Sequence, residues 1–111
     1  MQAITDKTNN HVAYLHSNMI ISLHDEVIGV MLGNCLFSNG KTIGKVIKDK
    51  LHHSNGKIIG LVGKEDKKKN VDEVVFHTKA WNIISSIKNH ACNWIEEENE
   101  WDNQSFLQHF N

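Results

Sequence analysis

A chain of 111 residues that is 40% apolar and 23% charged, with a formal charge of −1 and no proline, is long enough for one globular domain and too short for two ordinary ones. That composition excludes intrinsic disorder, and the longest apolar runs, such as Val27 to Leu32, fall far short of a membrane-spanning helix. The N-terminus MQAITDKTNN has no basic region followed by an apolar one, so the expectation is a cytoplasmic protein without an export signal, its two cysteines Cys35 and Cys92 reduced and buried.

Charge is unevenly placed. Up to Lys64 seven lysines face four acids, and from Glu65 onward five lysines face nine. All basic residues are lysine, so the bidentate fork with which arginine grips phosphates and guanine edges is missing and no nucleic-acid partner is expected. The bias toward Lys, Asn and Ile fits an AT-rich genome, bacterial or phage.

The elements begin with a repeat. HVAYL, EVIGV, KTIGK and KIIGL recur behind Asn10, Asp25, Gly40 and Gly56, which are spaced by 15, 15 and 16 residues. Three residues on stand Ala13, Ile28, Ile43 and Ile59; four on stand Tyr14, Gly29, Gly44 and Gly60. Before each turn lies another short apolar run: Gln2 to Thr5, Met19 to Leu23, Asn34 to Phe37 and Lys50 to His53. Asn39-Gly40 and Asn55-Gly56 are strong hairpin signals, since a type I′ turn needs positive φ at both central residues; His24-Asp25 and Asn9-Asn10 are weaker versions. Each unit therefore reads as strand, tight turn, strand. A lone hairpin cannot bury its apolar face, so four must share a core.

The succession SNGKTIGKV and SNGKIIGLV, behind two degenerate copies, resembles the bacterial 4-fold β-flower family of small hairpin-repeat domains over residues 1–64. The resemblance implies four petal-like hairpins and carries over no activity and no functional residue.

The hydrophilic run KEDKKKN reads as a surface loop, and DEVVFH at 72–77, with β-branched Val74 and Val75, leans toward a short strand. From Thr78, a candidate N-cap, the period changes: Trp81, Ile84, Ile87, Ala91, Trp94 and Ile95 share one face of a helix that the acidic run Glu96 to Glu100 brings to an end. Asp102 could then cap a short second helix anchored by Phe106, Leu107 and Phe110. The expected fold is thus α+β in a single domain: four β-hairpin repeats over 1–64 in a pseudo-fourfold flower or small barrel, a loop and possible strand over 65–77, and a helical part over 78–111 led by an amphipathic helix.

Chemistry is harder to find. His52 and His53 are neighbours on a strand and point to opposite faces, and His90 and Cys92 diverge on a helix, so neither pair holds one metal ion. His52 matches apolar residues of the other repeats and reads as a core histidine. The segment GKT at 40–42 lacks the upstream glycine of a phosphate loop. Asp25-Glu26 reads as turn chemistry, Cys35 as a small core residue, and no catalytic triad or cofactor fingerprint is present. The expectation is therefore a non-enzymatic binding or interaction module with no cofactor, no metal, no catalytic residue, no nucleic acid and no membrane. Lys41, Lys45 and Lys57 form a candidate rim for a small anionic ligand. Trp81, Ile84, Ile87 and Trp94 form a candidate face for another protein or for self-association into an oligomer. The competing expectation is a small metal-dependent or histidine-based hydrolase using His52, His53 or His77.

Overall fold

Positive φ at Asn9 (64°), Asp25 (62°), Gly40 (76°) and Gly56 (92°) turns the chain back on itself four times. A second set of turns, the two-residue connections Ser17-Asn18, Gly33-Asn34 and Lys48-Asp49, has positive φ at Ser17, Gly33, Lys48 and Asp49. The computed structural model describes residues 2–38, 40–65, 73–87 and 95–110. Between the turns run β1 (Gln2–Thr5), β2 (His11–His16), β3 (Met19–Ser22), β4 (Val27–Leu32), β5 (Cys35–Ser38), β6 (Lys41–Ile47), β7 (Lys50–His53) and β8 (Ile58–Glu65). Each pairs antiparallel with the next, and β8 pairs with β1, which closes an eight-stranded barrel. Closure leaves the barrel no open strand edge.

Side chains set the turns as well as backbone does. Asp6 Oδ1 accepts from the Thr8 and Asn10 amides, both at 2.9 Å, and Ser22 Oγ accepts from the His24 and Glu26 amides, both at 3.2 Å. Such short side-chain acceptors replace the glycine that these two turns lack.

In the register of the barrel Ile4 faces Ala13, Ile20 faces Gly29, Leu36 faces Gly44 and Leu51 faces Gly60, each next to an irregularity where the second strand carries an extra residue. Tyr14, aligned with the glycines by sequence, instead pairs with Ala3 and Ile21. The reason is that Asn9, not Asn10, takes the left-handed turn position, which moves the first unit by one residue.

Strand alternation sorts the apolar residues into two clusters. Ile4, Leu15, Ile20, Leu36 and Leu51 fill the barrel, as expected for eight strands whose lumen is only wide enough for side chains. Met19, Ile21, Val30, Cys35 and Phe37 point the other way and meet the helix. Strands β3 and β5 are consequently buried at every residue.

That helix, α1 (Glu73–Ser86), corrects the sequence reading in three ways. DEVVFH is not a strand: Val74 and Val75 are 76% and 44% exposed, so no burial rewards their β preference, while Phe76, Ala80 and Ile87 recur at helical spacing on the barrel side. Thr78 is not an N-cap but an interior residue whose Oγ1 donates to the Val74 carbonyl at 2.9 Å. α1 ends at Ser86, and residues 95–105, Ile95 of the expected face among them, are not helical; Ala91 and Trp94 of that face lie outside the described residues. No helix among the described residues is long and apolar enough to cross a membrane.

Cys35 is a further correction. It is disulfide-bonded and not a reduced thiol, and Cys92, outside the described residues, is the chain's one other cysteine. The expected core position on β5 stands, with Cys35 2% exposed, but burial alone cannot distinguish a core thiol from one end of a crosslink.

Candidate functional site

After Ile95, which is buried, the chain returns along the β7–β8 turn as a strap. The Glu98 amide donates to the Gly56 carbonyl (3.1 Å), the Ile58 amide to Glu100 (2.8 Å) and the Asp102 amide to Ile58 (2.9 Å), with Ile58 and Trp101 forming a parallel bridge. Gly56 permits this approach: besides its φ of 92°, any Cβ there would collide with the Glu96 carbonyl oxygen. The strap ends in a 3-10 turn, Phe106–Phe110, whose two phenylalanines enter the barrel cluster, their rings 4.9 Å apart. Leu107, a third expected anchor, is 47% exposed.

Asp102 fastens the strap. Its Oδ1 accepts from the Gln104 amide at 2.9 Å and its Oδ2 from Asn55 Nδ2 at 3.1 Å, so it grips the β7–β8 turn from 47 residues away. These bonds, led by the Gln104 amide, hold its carboxyl below the usual carboxylate range. His109 Nε2 stands 3.4 Å from Asp102 Oδ1 yet makes no hydrogen bond among the described residues, and the His109 ring lies 4.7 Å from that of His53. Burial, and then the neighbouring His53, lower the pKa of His109 against the opposing pull of Asp102. A neutral imidazole at ordinary pH results.

Two pockets flank the strap. One, of about 230 Å³, is polar and gathers Lys41, Thr42, His53, Gln104, Gln108 and His109. The Gln108 side-chain Oε1 accepts from the Ser105 amide at 3.0 Å, which leaves its NH₂ as a donor. The other, of about 310 Å³, has an apolar floor that includes Ile59 and Phe106, and a rim that includes Asp6 and Asn103.

The expected lysine rim is dispersed. Lys41 lines the polar pocket, Lys45 borders a different cavity beside Glu96 and Glu97, and Lys57, in the β7–β8 turn, lines neither. Just past the end of α1 Ile87 is buried, and on α1 Ile84 is half-buried against the barrel, whereas Trp81 is 66% exposed and borders an open groove with Asn18 and His77. Ile87 thus packs inward while the helix turns Trp81 outward, and of the two only Trp81 is exposed to a partner. His52, 1% exposed, donates from Nδ1 to the Gly56 carbonyl at 2.8 Å. His77 is exposed on α1. Among the described residues no group of His, Cys, Asp and Glu converges as metal ligands.

The sequence reading missed His109, Asp102 and Trp101 as site residues. Asp102 was expected to cap a second helix; the 3-10 turn begins only at Phe106 and Asp102 accepts from the Gln104 amide instead, and nothing in the local pattern joins it to Asn55 or joins His109 to His53. No family model, curated protein or solved structure matches the chain.

Proposed function

We propose that the chain is a non-enzymatic binding module that takes a small anion in the polar pocket beside the strap. The observation that carries this reading is that Lys41 shares that pocket with His53, His109 and the donor-bearing Gln108. A cation set among hydrogen-bonding side chains in a partly enclosed pocket suits a carboxylate or phosphate group. Melting curves in inorganic phosphate and in citrate test it. Stabilisation that rises with concentration and disappears in Lys41→Ala is the expected result; equal stabilisation of both proteins, or none, refutes it.

The barrel itself is best read as four copies of one hairpin about a pseudo-fourfold axis, as in the β-flower domains the sequence resembles. Its support is the recurrent pairing of Ile4, Ile20, Leu36 and Leu51 with a small residue beside an inserted one.

A second reading, self-association through α1, is favoured by the exposed stripe of Val74, Val75 and Trp81. Sedimentation velocity on wild type and Trp81→Glu decides it: a dimer that the substitution dissociates supports the reading, and a wild-type monomer ends it. Of the histidines of the competing hydrolase reading, His52, His53 and His77, His53 lines the polar pocket, but the adjacent hydroxyl, Ser54 Oγ, is committed to the Ile43 carbonyl at 2.8 Å. The disulfide at Cys35 favours an oxidising compartment over the expected cytoplasm, where thiols are kept reduced.

A further inference from the structure

We infer that the second pocket, on the other side of the strap, is a binding site for a neutral hydroxylated ring, a mono- or disaccharide. Its volume of about 310 Å³ lies within the range of small-molecule sites. Trp101 supplies an aromatic wall and Ile59 and Phe106 an apolar floor, surfaces suited to the C–H face of a pyranose. Around them stand hydrogen-bonding groups: the Asp6 carboxylate and the amides of Asn103 and Gln104.

Asp6 is the decisive member. Its Oδ1 is saturated by three bonds from its own turn, from the Thr8 amide (2.9 Å), the Thr8 hydroxyl (2.8 Å) and the Asn10 amide (2.9 Å). Oδ2 makes no hydrogen bond among the described residues. The Thr8 hydroxyl, first among these, keeps the group ionised. An oriented carboxylate with one oxygen to spare is a strong acceptor for paired hydroxyls.

Other ligand classes fit less well. An anion would face Asp6 and Asp102 with Lys7 as the sole cation of the lining. A purely apolar ligand would strip water from Asp6 and the rim amides and return no hydrogen bond. A cation would meet Lys7 in the same lining and find one carboxylate oxygen, because Asp102 already accepts from Gln104 and Asn55. Hydroxyl groups satisfy the carboxylate and the amides together.

Saturation-transfer NMR and calorimetry on the intact chain test the site with glucose, galactose, mannose, N-acetylglucosamine and their β-1,4 dimers, with choline and inorganic phosphate as comparators. The expected result is saturable binding of at least one saccharide, weakened about tenfold or more by Asp6→Asn and by Trp101→Ala and left unchanged by Lys41→Ala. The Asn103→Ala, Gln104→Ala double variant, which spares the turn and the bridge, supplies the same loss if either single variant fails to fold. Absence of saccharide binding, preference for choline or phosphate, or saccharide binding indifferent to these substitutions would overturn the inference.

Discussion

The edge of the Phe110 ring lies 2.8 Å from where a Cβ on Gly29 would stand, although the two residues are 81 positions apart in the chain. Gly29 is therefore a socket: its missing side chain is the space in which the end of the strap is seated. Gly60 plays a similar part for Phe106, whose ring would lie 3.4 Å from an added Cβ.

Filling the socket and emptying it should be non-additive. Phe110→Ala removes a ring from the barrel cluster and is expected to cost about 3–5 kcal/mol; Gly29→Ala overpacks the same contact and is expected to cost about 1–3 kcal/mol. The double variant should lose less than the two combined, because without the ring the methyl group's closest contact is gone and only the Phe37 carbonyl oxygen, at 3.1 Å, still crowds it. Urea unfolding of the four proteins checks this, and strict additivity would place Phe110 elsewhere in solution.

The histidine pair makes stability depend on pH. His109 has its folded pKa lowered from the ordinary value of about 6.5, first by burial and then by His53. The unfolded chain therefore binds the proton more readily than the folded one. Stability from this group is complete above that ordinary value and is lost as pH falls toward the lower, folded value. Tm should fall as the pH drops below about 6.5 and do so less in His109→Gln. Parallel profiles for the two proteins would refute the assignment.

Asp102 should behave as the fastening of the strap. Asp102→Ala strands the Gln104 amide and the Asn55 side chain, a loss of about 1–3 kcal/mol. The loss should be local. Hydrogen exchange is expected to quicken at the Ile58 and Asp102 amides, which bond across the strap, and to stay slow at Val30 and Leu36 in the barrel; uniform acceleration would contradict a local role.

The thiol state offers the quickest check. Under native, non-reducing conditions the protein should show no titratable thiol, and a reductant should lower Tm by an amount corresponding to about 2–4 kcal/mol. Two reactive thiols in the untreated protein would count against the crosslink.

How far the sequence reaches is clearest in the contrast between the barrel and the strap. Strand positions and hairpin turns were legible because they depend on neighbours: Asn-Gly turns, alternating apolar runs and a spacing of about sixteen residues are local facts. The misplacement of Tyr14 came from the same local rules, since Asn9 and Asn10 are chemically alike and only the closed register shows which takes positive φ.

Helix α1 shows the limit of periodicity. Val74, Val75 and Trp81 are as apolar as Phe76, Ala80 and Ile87, so hydrophobicity alone names two faces, and the barrel decides which is buried. The pockets are further removed still. Each joins a hairpin turn to the strap, so Asp6 meets Asn103, and His53 meets His109, only after the last sixteen residues fold back along the β7–β8 turn. The sequence by itself determined the hairpins, because short-range backbone preference and alternation specify them. The closure of the barrel, the buried face of α1 and both pockets were decided by the tertiary structure, because long-range packing and hydrogen bonds between distant segments leave no periodic trace in the chain.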